Sequence, residues 1–161
     1  MRYLTVSFAC EKLGTVLFPG SDYAGEVIPV EIGIGTKLFE ENPEVCYTLE
    51  KSDLSKFLPD RKKNSHKGSY GKILMITGSK GMSGAAYLSA RAAYISGGGL
   101  VQIYTEESNR TILQQLLPEA IVSTYTEYEE EKLQSLLKWA DVICIGCGLG
   151  KSRTAGQILL I

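Results

Sequence analysis

From Lys72 onward the sequence alternates short apolar runs with segments of helical period, and this alternation constrains the fold more than any other feature of the chain. Lys72 to Thr77 (KILMIT) is a run of buried-strand type, and after a glycine-rich stretch the Ala and Leu spacing of Ala85 to Ser96 is helical. Gly97-Gly98-Gly99 end that helix with residues that tolerate a positive φ angle. Leu100 to Tyr104 is the next strand, followed by a helix from about Asn109 to Leu116, a break at Pro118 and a third strand at Ala120 to Ser123. Tyr128 to Trp139 has the pattern of an amphipathic surface helix. Asp141 to Ile145 is the fourth strand, and Ser152 is placed to cap a further helix. Strands and helices alternating at this spacing are βαβ units, so the expected fold class is α/β, a doubly wound parallel sheet with helices on both faces.

The first part of the chain reads differently. Tyr3 to Phe8 and Val27 to Ile32 are strand-like, with a Pro19-Gly20 turn between them and a stretch from Cys10 to Leu17 of undetermined type. Two strands are marginal alone, so residues 1–35 are expected to be an appendage to a larger sheet. Residues 36–67 are polar and irregular, with Asn42-Pro43, Leu58-Pro59 and Asp60-Arg61-Lys62-Lys63, and read as a linker. The net charge of −1 offers no broad basic face for nucleic acid and no basic helix for a membrane surface. No apolar run approaches the roughly 20 residues of a membrane span. Met1 to Phe8 lacks the order of a signal peptide. The expectation is a cytoplasmic protein with small molecules or other proteins as partners. Four cysteines at irregular spacing are expected to be free thiols. Cys144-x-x-Cys147 invites a redox or zinc reading, but Cys144 falls inside an apolar strand, and a zinc site would need two further ligands when the one histidine is distant in sequence.

In open α/β sheets, ligands bind outside the carboxyl ends of the strands. Two glycine-rich loops are expected there. The first, Thr77 to Ala86, joins a strand to a helix N-terminus, where unpaired N–H groups and the helix dipole favour an anion, and its small residues Gly84, Ala85 and Ala86 allow close approach. The alternative is that its glycines only turn the chain. Its spacing is G-x-x-G-x-x-G, neither a dinucleotide fingerprint nor a P-loop. The second, Gly146-Cys147-Gly148-Leu149-Gly150, is G-x-G-x-G; Gly150-Lys151-Ser152 ends like a P-loop, but the first glycine of that motif would fall at Ile145. Lys67 is a candidate phosphate contact or a solvated cation, and His66 has no partner that marks it as an acid or base. Glu127 to Glu131 read as the solvated start of a helix.

Leu58-Pro59-x-Arg61, Ser65-His66-Lys67-Gly68-x-x-Gly71, the stretch GSKGMSGAAYLSARAAYISGGGLVQIYT, LLPEAIV and IGCGLG together resemble the ADP-dependent NAD(P)H-hydrate dehydratases, of the ribokinase-like superfamily. The stretch LTVSFACEKLGTVLFPGSDYAGEVIPVEIGI is similar to the last part of the NAD(P)H-hydrate epimerase domain that precedes the dehydratase in the bifunctional bacterial enzyme. The resemblance implies a two-strand remnant of a Rossmann-like epimerase domain in residues 1–35, a linker in 36–67, and a partial ribokinase-like sheet, the N-terminal half of the dehydratase domain, in 68–161. It implies removal of water from the S form of hydrated NADH or NADPH, with ADP or ATP and Mg2+ serving the complete dehydratase and K+ the complete epimerase, in a homo-oligomer. Ala85 and Gly148 correspond to substrate-contacting positions, which makes Gly84, Ala85, Gly146 and Gly148 the candidate substrate-binding set. Cys147 stands where the family usually has Pro. The family's catalytic Asp and ADP-binding segment find no match in this sequence, so no catalytic residue is assigned and the isolated chain is expected to be inactive. Its half-sheet is expected to expose an edge and apolar surface that favour association. The competing expectations are a small-molecule kinase of the same superfamily and a non-catalytic nucleotide-binding remnant.

Overall fold

The structure, a computed structural model, describes residues 3–35, 37–40, 42–58 and 60–160. Thr36, where the expected linker opens, Pro59 of the Leu58-Pro59 motif, and the ends Met1, Arg2 and Ile161 lie outside them. The chain divides into two compact units, residues 1–60 and 61–161.

In the first unit, β1 (Leu4–Phe8) and β2 (Glu26–Val30) pair in parallel, from Leu4 opposite Glu26 to Phe8 opposite Val30. Parallel neighbours need a crossover rather than a tight turn. The crossover consists of two single-turn helices, α1 (Leu13–Val16) and α2 (Ser21–Ala24). The expected Pro19-Gly20 turn lies between these two helices, and the Cys10 to Leu17 stretch of undetermined type supplies α1. Leu4, Phe8, Phe18 and Tyr23 remain exposed, and only Ser7 and Ala24 are buried among the described residues of this unit. Two strands offer too little surface to cover them. Further on lie the single helical turns α3 (Lys37–Glu40) and α4 (Leu54–Phe57) and a 3-10 turn at Lys51–Asp53, closed by a reciprocal cap between Glu50 and Asp53. The segment is therefore less irregular than its composition suggests.

The second unit is a four-stranded parallel sheet of β3 (Lys72–Ile76), β4 (Leu100–Glu106), β5 (Ile121–Tyr125) and β6 (Val142–Ile145), in the order β5-β4-β3-β6. Four helices connect or follow the strands: α5 (Ser83–Ile95), α6 (Arg110–Leu116), α7 (Glu130–Trp139) and α8 (Arg153–Leu159). Because successive strand side chains point to opposite faces, β3 and β4 feed two cores. Leu74, Ile76 and Tyr104 pack with Tyr125 beneath Leu133 and Leu136 of α7 and Ala155 and Ile158 of α8. Met75, Val101 and Ile103 pack on the other face beneath Ala86 and Ala90 of α5 and Leu113 of α6. The expected doubly wound α/β architecture is what forms. Ser152 caps α8, its side chain accepting the Ala155 N–H.

Two differences from expectation have a common cause in strand pairing. Register with β4 carries β5 on to Tyr125, opposite Glu106. β6 pairs only with β3 among the described residues, so Val142, Ile143 and Ile145 are exposed and Cys144 is only half-buried, not sealed in a central strand. The sheet thus has the free apolar edge that was expected.

The Tyr104 hydroxyl is buried without a hydrogen-bond partner among the described residues, and its ring lies 5.0 Å from that of Tyr125. Burial, and then the charge of Glu129, push its phenol up to about 12. Tyr104→Phe is expected to stabilise the fold by about 1 kcal/mol, because an unsatisfied buried group is removed at constant shape. A folded-state value above the unfolded one of 10.0 means that stability present below pH 10 is lost as pH rises toward 12. Urea denaturation across that range should show the fall in the parent chain and a smaller one in the variant.

Candidate functional site

β3 and β6 are neighbours, so the loops leaving their carboxyl ends run side by side. Backbone hydrogen bonds join them: the Gly78 N–H donates to the Cys147 carbonyl at 2.9 Å, the Ser79 N–H to the Gly148 carbonyl at 2.7 Å, and the Gly146 N–H to the Ile76 carbonyl at 3.1 Å. The two glycine-rich loops of the sequence therefore make one structure. Cys147 contributes its carbonyl, which any residue supplies, and its side chain is exposed. The loop thus retains its inter-loop bond with Cys at the position the family gives to Pro.

Gly148 adopts φ +68°, and a Cβ built there would lie 2.6 Å from the Cβ of Ala85. The two positions carried over from the family resemblance are thus packed against each other, and the second loop lies on the first turn of α5 because position 148 has no side chain. Around this contact, a Cβ at Gly84 or at Gly146 would meet no atom within 4 Å, so both border open space. No side chain caps α5 at its N-terminus. Its first N–H groups, with the positive end of the helix dipole, face the carboxyl side of the sheet, where an anionic group is favoured.

Two buried side chains hold this arrangement from behind. Thr105 Oγ1 donates to the Gly78 carbonyl at 2.7 Å. The Asn109 amide donates to the Ser79 carbonyl at 3.0 Å, the Gly78 carbonyl at 3.3 Å and Thr105 Oγ1 at 2.9 Å. Both side chains are essentially inaccessible. Nothing in the sequence marks this role, since Asn109 is legible there only as the start of a helix. Thr77, where β3 enters the loop, keeps a buried hydroxyl with no partner among the described residues.

Beside this support, the Glu107 carboxylate takes two hydrogen bonds from Arg110, at 2.7 and 3.0 Å, and one from Thr124 on β5. The Arg110 contact first, then Thr124, holds its carboxyl down to about 2. A depressed folded-state value makes this contribution fully present above pH 4.5 and lost as pH falls toward 2. Glu107→Gln is expected to flatten the fall in urea midpoint across that acid window; an unchanged acid profile would remove Glu107 as its source.

The structure brings Gly84, Ala85, Gly146 and Gly148 together and leaves Lys67 out. Lys67 begins a 3-10 turn, Lys67–Tyr70, ahead of β3, at the amino end of a strand whose other end carries the loops. Five strand residues separate the two levels by about 16 Å. His66 lies with Lys67. Glu130 and Glu131 form the exposed first turn of α7, as expected of a solvated helix start. All four cysteines are free, and burial, with Cys147 nearby, pushes the Cys144 thiol up, so it stays protonated at neutral pH and is a poor nucleophile. Among the described residues no group of three or more His, Cys, Asp or Glu side chains could hold a metal ion. No helix among them is long and apolar enough to cross a membrane.

A family model described as NAD(P)H-hydrate dehydratase matches residues 73–160, more than half of the chain and the whole of the two-loop structure. The chain belongs to the NAD(P)H-hydrate dehydratase family. It is 35% identical over 156 residues to the bifunctional NAD(P)H-hydrate repair enzyme of Coxiella burnetii, a match covering 97% of this chain and 32% of that protein. It is 43% identical over 106 residues to the ADP-dependent (S)-NAD(P)H-hydrate dehydratase of Lactiplantibacillus plantarum, covering 66% of this chain and 37% of the relative. A solved ribokinase-like superfamily protein from Enterococcus faecalis superposes with a TM-score of 0.64 at 34% identity, over 73% of this chain and 42% of that one. The sheet of this dehydratase-family chain is therefore ribokinase-like. The chain spans about a third of the length of the curated relatives it matches.

Proposed function

We propose that residues 68–161 are the part of an ADP-dependent NAD(P)H-hydrate dehydratase that holds the hydrated nicotinamide nucleotide, with Gly84, Ala85, Gly146 and Gly148 lining the substrate. The observation that carries this reading is the packing of Gly148 on Ala85 beside the uncapped start of α5, which brings two glycine loops and a helix N-terminus to one place. The N–H groups and the dipole suit a substrate phosphate, and the missing side chains at 84 and 146 leave room for it. Residues 1–35 are the end of an epimerase domain and 36–67 the linker. Support for this is the match to the bifunctional C. burnetii enzyme, which extends over nearly the whole chain.

The reaction is loss of water from the S form of hydrated NADH or NADPH, in a cytoplasmic homo-oligomer. ADP or ATP, bound with Mg2+, supplies the phosphate chemistry that turns the ring hydroxyl into a leaving group. Among the described residues no group of three or more His, Cys, Asp or Glu side chains fits the metal, and the part proposed for them is binding and orientation of the nucleotide. Purified chain incubated with (S)-NADPH hydrate, ADP and magnesium should therefore regenerate no nicotinamide absorbance. A chimera carrying residues 73–160 in place of the matching stretch of the L. plantarum enzyme should regenerate it. A folded chimera that fails to dehydrate the substrate would overturn the reading.

A further inference from the structure

At the end of the sheet opposite the glycine loops, a depression of about 290 Å3 opens beside the start of β3. Arg61, Lys62, His66 and Lys67 line it with the hydroxyl-bearing Ser65 and Tyr70, and the glycine turn after α5 closes it. Among the described residues the lining contains three basic side chains, Arg61, Lys62 and Lys67, and no carboxylate. Its framework is fixed. The Arg61 guanidinium lies 4.4 Å from the Tyr70 ring centroid and donates to the Gly97 carbonyl at 2.8 Å. Ser65 and Tyr70 share a hydrogen bond of 2.6 Å between their hydroxyls. The Gly99 N–H donates to the Tyr70 carbonyl at 3.0 Å, and a Cβ at Gly99 would stand 1.8 Å from the Lys67 carbonyl oxygen, so the basic segment lies directly on the turn.

A basic cluster beside the carboxyl end of a helix has a plain purpose, since that end carries roughly half a negative charge. Arg61 already meets that need through Gly97. Lys62 and Lys67 do not: both are exposed, and neither ammonium group has an ion pair or hydrogen bond among the described residues. Gathering like charges around one concavity without a counter-charge is unfavourable in the empty state and is relieved when an anion enters. The Ser65 hydroxyl donates to the Lys62 carbonyl at 2.6 Å and accepts from Tyr70, so both hydroxyls are spent on the framework. The groups left to meet an anion are a held guanidinium and two exposed ammonium groups, which match the several oxygens of a phosphate better than the two of a carboxylate. The volume is at the small end of ligand pockets, which suits a compact phosphorylated group and is too small for a whole dinucleotide.

We propose that this pocket is a second anion site, separate from the glycine loops, and that it binds the phosphomonoester or diphosphate group of a small metabolite. The inference does not depend on the dehydratase reading. It gives Lys67 a phosphate to contact, but at the amino end of the sheet. The test is a titration of the isotopically labelled full chain with inorganic pyrophosphate, followed by the backbone amide resonances. The expected result is saturable shifts confined to residues 61–71 and 97–99, with affinity at least tenfold weaker in the Lys62→Gln/Lys67→Gln variant and weakening as salt is added. Both substitutions are on exposed side chains, so amide dispersion elsewhere should be unchanged. Shifts confined to residues 78–86 and 146–150, shifts that do not saturate, or equal affinity in the double variant would each overturn the proposal.

Discussion

Gly148→Ala is expected to destabilise residues 61–161 by about 2–4 kcal/mol, the sum of placing Ala at positive φ and forcing a methyl into a filled space. The backbone there sits at φ +68°, and the added Cβ would meet Ala85 at 2.6 Å and the Cβ of Met82 at 3.2 Å. Neither neighbour has a flexible end that can swing away, since both contacting atoms are Cβ atoms fixed to backbone. Relief must come from moving the 146–150 loop off α5, which stretches the bond from the Ser79 N–H to the Gly148 carbonyl. Thermal unfolding should report the lost stability, and nucleotide binding should fall with it. The same substitution at Gly146, where a Cβ meets nothing within 4 Å, should cost only the strain of its backbone conformation. Equal effects at the two positions would contradict the contact described here.

Asn109→Ala is expected to cost about 1–2 kcal/mol, because the hydrogen bonds of a buried amide to the Gly78 and Ser79 carbonyls and to Thr105 Oγ1 are lost together. The Ser79 carbonyl then keeps only the local bond from the Met82 N–H, and the Gly78 carbonyl keeps Thr105 Oγ1 and the Glu106 N–H, so the tie from the start of α6 to the loop at Ser79 is what disappears. Since Asn109 touches the loop from behind and borders no open space, it acts as a positioning residue. The loop should become mobile while the sheet stays intact, which amide exchange can separate: faster exchange at 78–82 with unchanged protection in β3 and β4. Uniform loss of protection would mean that Asn109 only supports the fold.

How much of this was legible in the sequence depended on whether the signal was local. The strand, glycine turn and helix from Lys72 to Ser96 could be read because each element carries its own period, and the helix begins only two residues earlier than its Ala and Leu spacing indicates. The neighbouring placement of the two loops followed only from the strand order, in which β6, last in the chain, pairs with β3, first in its unit. Where residues act across that order, sequence was silent. Asn109 looks like any polar residue at a helix start, and its use as a brace depends on β4 delivering it beneath Gly78. Lys67 precedes the first loop, which opens at Thr77, by only ten positions, yet an extended strand lies between them and sends the two to opposite ends. The apolar run Val142 to Ile145 reads alike in a central or an edge strand, so its exposure could be known only once its neighbours were. In the first unit, neither Pro19-Gly20 nor the short apolar runs disclose whether the strands pair parallel or antiparallel. The parallel register made the crossover necessary.

The proposed function requires that the loops leaving β3 and β6 form one cradle for the hydrated nicotinamide nucleotide. The direct measurement is a titration of the isotopically labelled chain with (S)-NADPH hydrate, read at the amides of 78–86 and 146–150. Both segments are predicted to shift together with a single dissociation constant, and Gly148→Ala is predicted to weaken binding in both. Shifts in one loop alone, shifts only outside the two loops, or no saturable binding by the folded chain would contradict the claim.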